Sequence, residues 1–205
     1  MSTQAARRAA PPPSPPEPAA APRLLSRDHL PVVLGVLALV TLAAFENRAV
    51  ISILPTVVHE LDGWSLFGAA TGAPLVTLTV AMAWSGPWTD RRGPGRALLT
   101  GIGLFVVAQL ISGSASSMGV FVVGRAVSGA AEALIDTAMT VLVARALPEA
   151  LRAKVFASFA AAWILPSVLG PGVAGAIDAM AGWRAVFVAP LVVVPISLAL
   201  VGGAL

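Results

Sequence analysis

Six long apolar runs joined by short polar links leave the 205-residue sequence few ways to fold. The runs are roughly Leu30–Val58, Trp64–Trp88, Ala97–Gly113, Met118–Ala146, Val155–Met180 and Trp183–Leu205. A helix needs about 20 residues to cross a hydrocarbon core of about 30 Å. Five runs clear that length, and the third falls just short. The runs are continuous rather than alternating, which argues for helices and against the strands of a membrane barrel. The links hold the expected breakers: Asp62-Gly63, Gly93-Pro94-Gly95, Ser112 to Ser117, Pro148 and Gly182. The spacing therefore predicts an all-α, polytopic membrane protein of six transmembrane helices. Composition agrees: 57% of residues are hydrophobic and 11% charged, against about 45–50% and about 25% in soluble domains.

The basic residues predict an orientation. Ten of the 13 lie before run 1 (Arg7, Arg8, Arg23, Arg27), between runs 2 and 3 (Arg91, Arg92, Arg96) or between runs 4 and 5 (Arg145, Arg152, Lys154). The opposite links hold only Arg184. By the positive-inside rule both termini are expected to be cytoplasmic, in a multi-pass protein of the plasma membrane. Residues 1–29 are rich in Pro and Ala and are expected to be a disordered cytoplasmic tail. The run after them is too long, and lacks the cleavage site, for a signal peptide. Interleaved clusters and a net charge of only +3 read as topology, so nucleic acid is not an expected partner. There is no Cys, and the two His, His29 and His59, are far apart, so neither a metal site nor a thiol nucleophile is expected.

The link between runs 2 and 3 reads Gly86-Pro87-Trp88-Thr89-Asp90-Arg91-Arg92-Gly93-Pro94-Gly95-Arg96. It resembles the signature loop of the major facilitator superfamily, with Gly86, Asp90, Arg91, Gly93 and Arg96 at matching positions. Pro94 and Gly95 stand where the family usually has basic residues. The resemblance implies a six-helix half of a transporter, residues 30–205, with this loop as a cytoplasmic latch against a second half. Small Gly86 would let a helix end approach a neighbour closely. Asp90 would accept from helix N-terminal N–H groups or pair with an arginine. The plainer reading is that Arg91, Arg92 and Arg96 only enforce topology.

Five ionisable residues fall well inside the runs, away from their ends: Glu46, Arg48, Arg125, Glu132 and Asp136. Each costs about 2.5–3.5 kcal/mol at the bilayer centre, so they are expected to face one another or a wet cavity. Arg125, Gly129, Glu132 and Asp136 share one face of helix 4 by helical periodicity. Phe121, Gly124-Arg125 and Gly129 resemble the helix 4 motif of proton-coupled family members, where the arginine tunes a proton site. A nearby cation favours the ionised carboxylate and burial favours the neutral acid. Counting helical rise from the outer ends puts Glu46 and Glu132 about 18 and 20 Å deep, with Arg48 and Arg125 at about 15 and 9 Å. Glu46 or Glu132 is therefore the expected proton carrier, biased by Arg125, with Asp136 a deeper relay or substrate contact. Glu46 and Arg48 point about 200° apart, so one of them should pack elsewhere. A static ion pair that fixes packing is the competing reading.

Gly170-Pro171-Gly172-Val173-Ala174-Gly175 resembles the helix 5 motif of antiporter-type members, with Gly170, Pro171 and Gly175 matching and Ala174 and Pro166 departing from it. Phe45-Glu46-Asn47, Ile53-Leu54-Pro55-Thr56, Glu60-Leu61-Asp62-Gly63 and Gly182-Trp183-Arg184 resemble drug-efflux members. The resemblance implies secondary transport rather than enzymatic catalysis. It points to efflux of small amphipathic molecules, driven by a proton gradient and needing no cofactor. Export of a specific metabolite, or a non-transporting bundle, are the alternatives. The expected partners are the lipid bilayer, a small-molecule substrate and a second six-helix half. That half would come from the rest of a longer protein of which this is a fragment, from a separate chain, or from a second copy.

Overall fold

A computed structural model describes residues 30–201. The Pro-rich segment 1–29, with the expected tail, and residues 202–205 lie outside the described residues. Among the described residues every regular element is helical: α1 (Leu30–Glu60), α2 (Phe67–Arg92, entered through a 3-10 turn at Trp64–Leu66), α3 (Pro94–Gly113), α4 (Met118–Ala146), α5 (Glu149–Ala181), α6 (Trp183–Val188) and α7 (Val193–Val201). Together they supply six spans long and apolar enough to cross a membrane.

Several helix limits differ from those expected from sequence, two of them by a full turn or more, and one span is broken. Helix α2 runs on to Arg92, and α5 starts at Glu149 rather than Val155. Apolarity marks where a helix is dehydrated, whereas helical backbone continues through polar residues that form helices well. The sixth span, expected to be one helix, is interrupted by a 3-10 turn at Ala189–Val192. Pro190 has no N–H to give and its ring crowds the carbonyl a turn earlier, so the helix tightens there.

Helix α1 packs mainly against α5 and the α6–α7 span, and α4 mainly against α2 and α3. The first helix of each half of the chain thus sits among the helices of the other half, and α1 meets α4 only along a narrow seam. The two halves also turn alike. Helices α2 and α3 are joined by Gly93 alone (φ 84°, ψ 154°) and α5 and α6 by Gly182 alone (φ 79°, ψ 160°). Each glycine N–H bonds back to a carbonyl four residues earlier, of Thr89 and of Asp178. That backbone region is essentially closed to residues with a Cβ. Gly93→Ala should lower stability by about 1–3 kcal/mol, read as a drop in the thermal midpoint in detergent, although open space surrounds the added methyl.

Two apolar clusters fill the bundle. One gathers Val33 to Leu42 of α1 with Ile102 and Phe105 of α3, Ile135 to Val143 of α4 and Val155 of α5. The other gathers Ala49 to Val58 of α1 with Met118 and Phe121 of α4, Ala174 of α5 and Trp183 and Phe187 of α6. In the second, the rings of Phe121, Trp183 and Phe187 meet edge to face at 5.5–6.1 Å, the arrangement their quadrupoles favour. Trp183 is fully buried, and its indole N–H donates to Glu60 at 2.8 Å, tying the end of α1 to the start of α6. Arg184 reaches the same carboxylate at 3.3 Å and the Ala115 carbonyl at 3.2 Å. The Gly182-Trp183-Arg184 sequence is thus a packing element.

Candidate functional site in the seam between α1 and α4

Between the two clusters, α1 carries Phe45-Glu46-Asn47 and α4 carries Arg125, Ser128 and Gly129. Both apolar runs give way to polar side chains at the same level. Arg125 donates through Nη1 to Oε1 of Glu46, and the two groups are only 4% and 5% exposed. The same Nη1 reaches Ser128 Oγ at 3.1 Å, and that hydroxyl donates to the Arg125 carbonyl at 2.9 Å. Nε of Arg125 finds no partner among the described residues. One residue along α1, the Asn47 amide donates to Oε1 of Glu132 at 3.1 Å and to the Ala43 carbonyl at 3.2 Å. Two polar links, an ion pair and an amide–carboxyl hydrogen bond, therefore bridge the seam.

Of the five charges expected in the membrane, the structure joins Glu46 with Arg125 and sets Glu132 beside them through Asn47. The rise-based depths place Arg125 well above Glu46, yet the two meet. Helical rise counts backbone positions only, and an arginine carries its charge several bonds from its own Cα. The arginine also contacts Glu46 and not Glu132, whose partner is an uncharged amide. Asp136 lies half-buried one turn beyond Glu132. Its carboxylate has no hydrogen-bond or ion-pair partner among the described residues. Arg48 is exposed on the other side of α1, its Cβ close to Gly170 of α5, so it is the member of the set that packs elsewhere. Asn47 and Ser128 join the site without having been expected there, although a lone amide in an apolar run is a readable signal.

The α4 stripe has a second role. A methyl on Gly129 would lie 2.1 Å from the Pro74 carbonyl oxygen and 2.4 Å from Thr77 Oγ1. Thr77 in turn donates to the Ala126 carbonyl at 2.7 Å. Gly129 is thus the close crossing of α2 over α4, and Ser85 and Thr137 add a 2.6 Å hydrogen bond lower down the same pair.

The latch residues lie differently from expectation. Gly86, Asp90 and Arg91 belong to the last turns of α2, and the connection to α3 is Gly93 alone. Asp90 is exposed and caps nothing, because α2 continues past it and Gly93 holds the capping position of α3 without a side-chain bond. Among the described residues, no atom lies within 4 Å of a methyl placed on Gly86, so its expected close neighbour is not among them. Arg91 and Arg96 are exposed. On α5, Gly170 and Ala174 are buried against α1, whereas Pro171, Gly172 and Gly175 are exposed. Ala174 fits its position fully buried, so the departure from glycine there costs no space. Helix α5 stays continuous through Pro166 and Pro171.

Comparison with known proteins agrees with this architecture. The chain is 30% identical to an uncharacterised transporter of Schizosaccharomyces pombe, over 82% of this chain and 29% of that protein. It is 29% identical to Multidrug resistance protein 3 of Bacillus subtilis, over 76% of this chain and 30% of that protein. It is also 29% identical to a probable multidrug-efflux transporter of Mycobacterium tuberculosis, over 72% and 31% respectively. The chain spans less than a third of the length of these relatives. The family model of the Major Facilitator Superfamily matches residues 36–204, which covers five of the six spans fully and the first from its fourth residue on. By its sequence, its six spans and its helical bundle, the chain belongs to the Major Facilitator Superfamily.

Proposed function

We infer that the chain supplies one half of a proton-driven exporter of small amphipathic molecules, in a plasma membrane with both termini cytoplasmic. The observation that carries this reading is the pair of links across the α1–α4 seam, Glu46 with Arg125 and Asn47 with Glu132. They stand where two helix triplets meet, so a proton gained or lost there acts on the contact between the triplets. Protonating Glu46 would break its bond to Arg125. Glu132, held by a neutral amide, can exchange a proton with no ion pair broken, and we assign it the coupling role. Glu46 and Arg125 then hold the seam, and Asp136 passes protons or contacts substrate from the adjacent turn. Arg48 stands on the exposed side of α1. The proton gradient supplies the energy and no cofactor takes part.

The names of the multidrug relatives support the efflux reading. A second six-helix half would complete the path, since family folds carry substrate between two halves. The exposed apolar faces of α2 (Leu75, Val76, Val80) and α5 (Ile164, Val168, with Gly172 and Gly175) suit such a partner. Exposed Asp90 and Arg91, with the open space at Gly86, would then be the latch.

The test is transport in proteoliposomes, with the protein expressed from its complete gene and an imposed proton gradient. Glu132→Gln should cut gradient-driven flux of a cationic dye at least tenfold and leave dye binding within about twofold. Asp136→Asn should have a smaller effect. Gradient-driven flux undiminished by Glu132→Gln, Glu46→Gln and Asp136→Asn alike would sink the mechanism.

A further inference from the structure

Helices α2 and α3 touch little, yet both lie heavily on α4, and the wedge left between them is a surface groove. Three concavities line it in sequence. The first, of about 500 Å³, is lined by Arg92, Arg96 and Arg145 with the Gly93-Pro94-Gly95 turn. The second, of about 220 Å³, shares Arg92 and Arg96 with the first and adds Trp88, Leu99 and Thr100. The third, of about 380 Å³, shares Trp88 and Thr100 with the second and continues over Trp84, Ala130 and Leu134. Neighbouring concavities thus share lining residues, in an order that leads from three guanidiniums, past a hydroxyl, to an apolar trough.

The sequence builds this order directly. Trp84, Trp88 and Arg92 recur every fourth residue on one stripe of α2, and Arg96 and Thr100 do so on α3. At 1.5 Å per residue, Trp88 stands about 6 Å and Trp84 about 12 Å along the axis from Arg92. No carboxylate lines any of the three concavities. Arg92 and Arg96 are exposed and pair with no acid among the described residues. Forked guanidiniums match phosphate oxygens, and indoles favour the level where headgroups give way to chains. A free phosphate would satisfy the first concavity and leave the other two unused.

We propose that this groove is a binding site for an anionic phospholipid of the leaflet at the arginine-rich end of the bundle. Its phosphate sits between Arg92, Arg96 and Arg145, its glycerol backbone lies by Thr100, and one acyl chain lies along Trp88 and Trp84. The site is separate from the α1–α4 seam and stands whether or not the proton mechanism does.

Native mass spectrometry of the detergent-solubilised protein tests it, with phosphatidylglycerol, phosphatidylcholine and inorganic phosphate as probes. Wild type should retain phosphatidylglycerol at least tenfold better than phosphatidylcholine. Each arginine neutralised should weaken phosphatidylglycerol binding about fivefold, from about 1 kcal/mol per basic residue at a membrane surface. Arg92→Lys with Arg96→Lys should keep most of the preference and reports that the groove is still folded. Trp84→Ala with Trp88→Ala should weaken the lipid severalfold. Equal retention of the two lipids, or no loss on Arg92→Gln with Arg96→Gln, overturns the site. So does displacement of the lipid by millimolar inorganic phosphate, which would mark a headgroup-only anion pocket.

Discussion

Replacing Arg125 with methionine should destabilise the bundle by about 3–5 kcal/mol, because it leaves the Glu46 carboxylate buried without its counter-charge. Glu46→Leu should cost a similar amount by orphaning the guanidinium, whose Nε already lacks a partner among the described residues. The double change, Glu46→Leu with Arg125→Met, should recover most of the loss. Apolar residues of similar volume are often as stable as a buried pair or more so. The checking measurement is a double-mutant cycle on thermal midpoints in one detergent, with the coupling read as the departure from additivity. Single changes that each cost under about 1 kcal/mol would mean that water already reaches the pair. A stable double variant that has lost gradient-driven flux would separate a working ion pair from a structural one.

Gly129→Ala should have the other large effect. The new methyl would lie 2.1 Å from the Pro74 oxygen and 2.8 Å from its carbonyl carbon. Those are backbone atoms of α2 and cannot swing aside as a flexible side chain would. Helices α2 and α4 must separate along a crossing that also carries the Thr77–Ala126 and Ser85–Thr137 hydrogen bonds. Overpacking of this kind costs about 3 kcal/mol or more, at the upper end of the usual range. The control is Gly103→Ala on α3, where a methyl meets nothing within 4 Å. It should be neutral or stabilise by up to about 1 kcal/mol through helix propensity. Melting curves and the elution profile of both variants decide the matter. Equal behaviour would mean that α2 does not cross α4 at Gly129.

Much of the fold is legible in the sequence because a bilayer imposes a long, continuous apolar run on every span. The breaks at Gly93 and Gly182 are legible too, since glycine before a fresh apolar run marks a link. The interruption of the sixth span at Pro190 is not, because a proline near the middle of an apolar run does not say whether a helix bends, tightens or ends. The extent of α2 escapes for a related reason: apolarity stops at Trp88, but helical backbone does not.

The site is readable in kind and not in pairing. Charges inside apolar runs have to meet partners, and their shared face on α4 follows from helical period alone. Which acid Arg125 takes does not follow. Glu46 and Glu132 are both carboxylates at similar depth, and the choice depends on how α1 and α4 lie across each other and how far an arginine reaches. The same holds for Asn47, which matters only because α1 presents it to Glu132, and for Gly129, a residue of the stripe that proves to be a helix crossing.

The sequence by itself determined six membrane-spanning helices, their order, the ends where arginines gather, and which charges lie deep within the spans. These depend on hydropathy and period, which act along one chain segment at a time. Only the tertiary structure decided that α1 sits with α5 and the sixth span while α4 sits with α2 and α3. It alone also decided that Glu46 takes Arg125 while Asn47 takes Glu132, and that the tryptophans of α2 continue a groove begun by Arg92 and Arg96. Those are relations between segments far apart in the chain, set by which small residues allow two backbones to touch. Hydropathy carries no information about that.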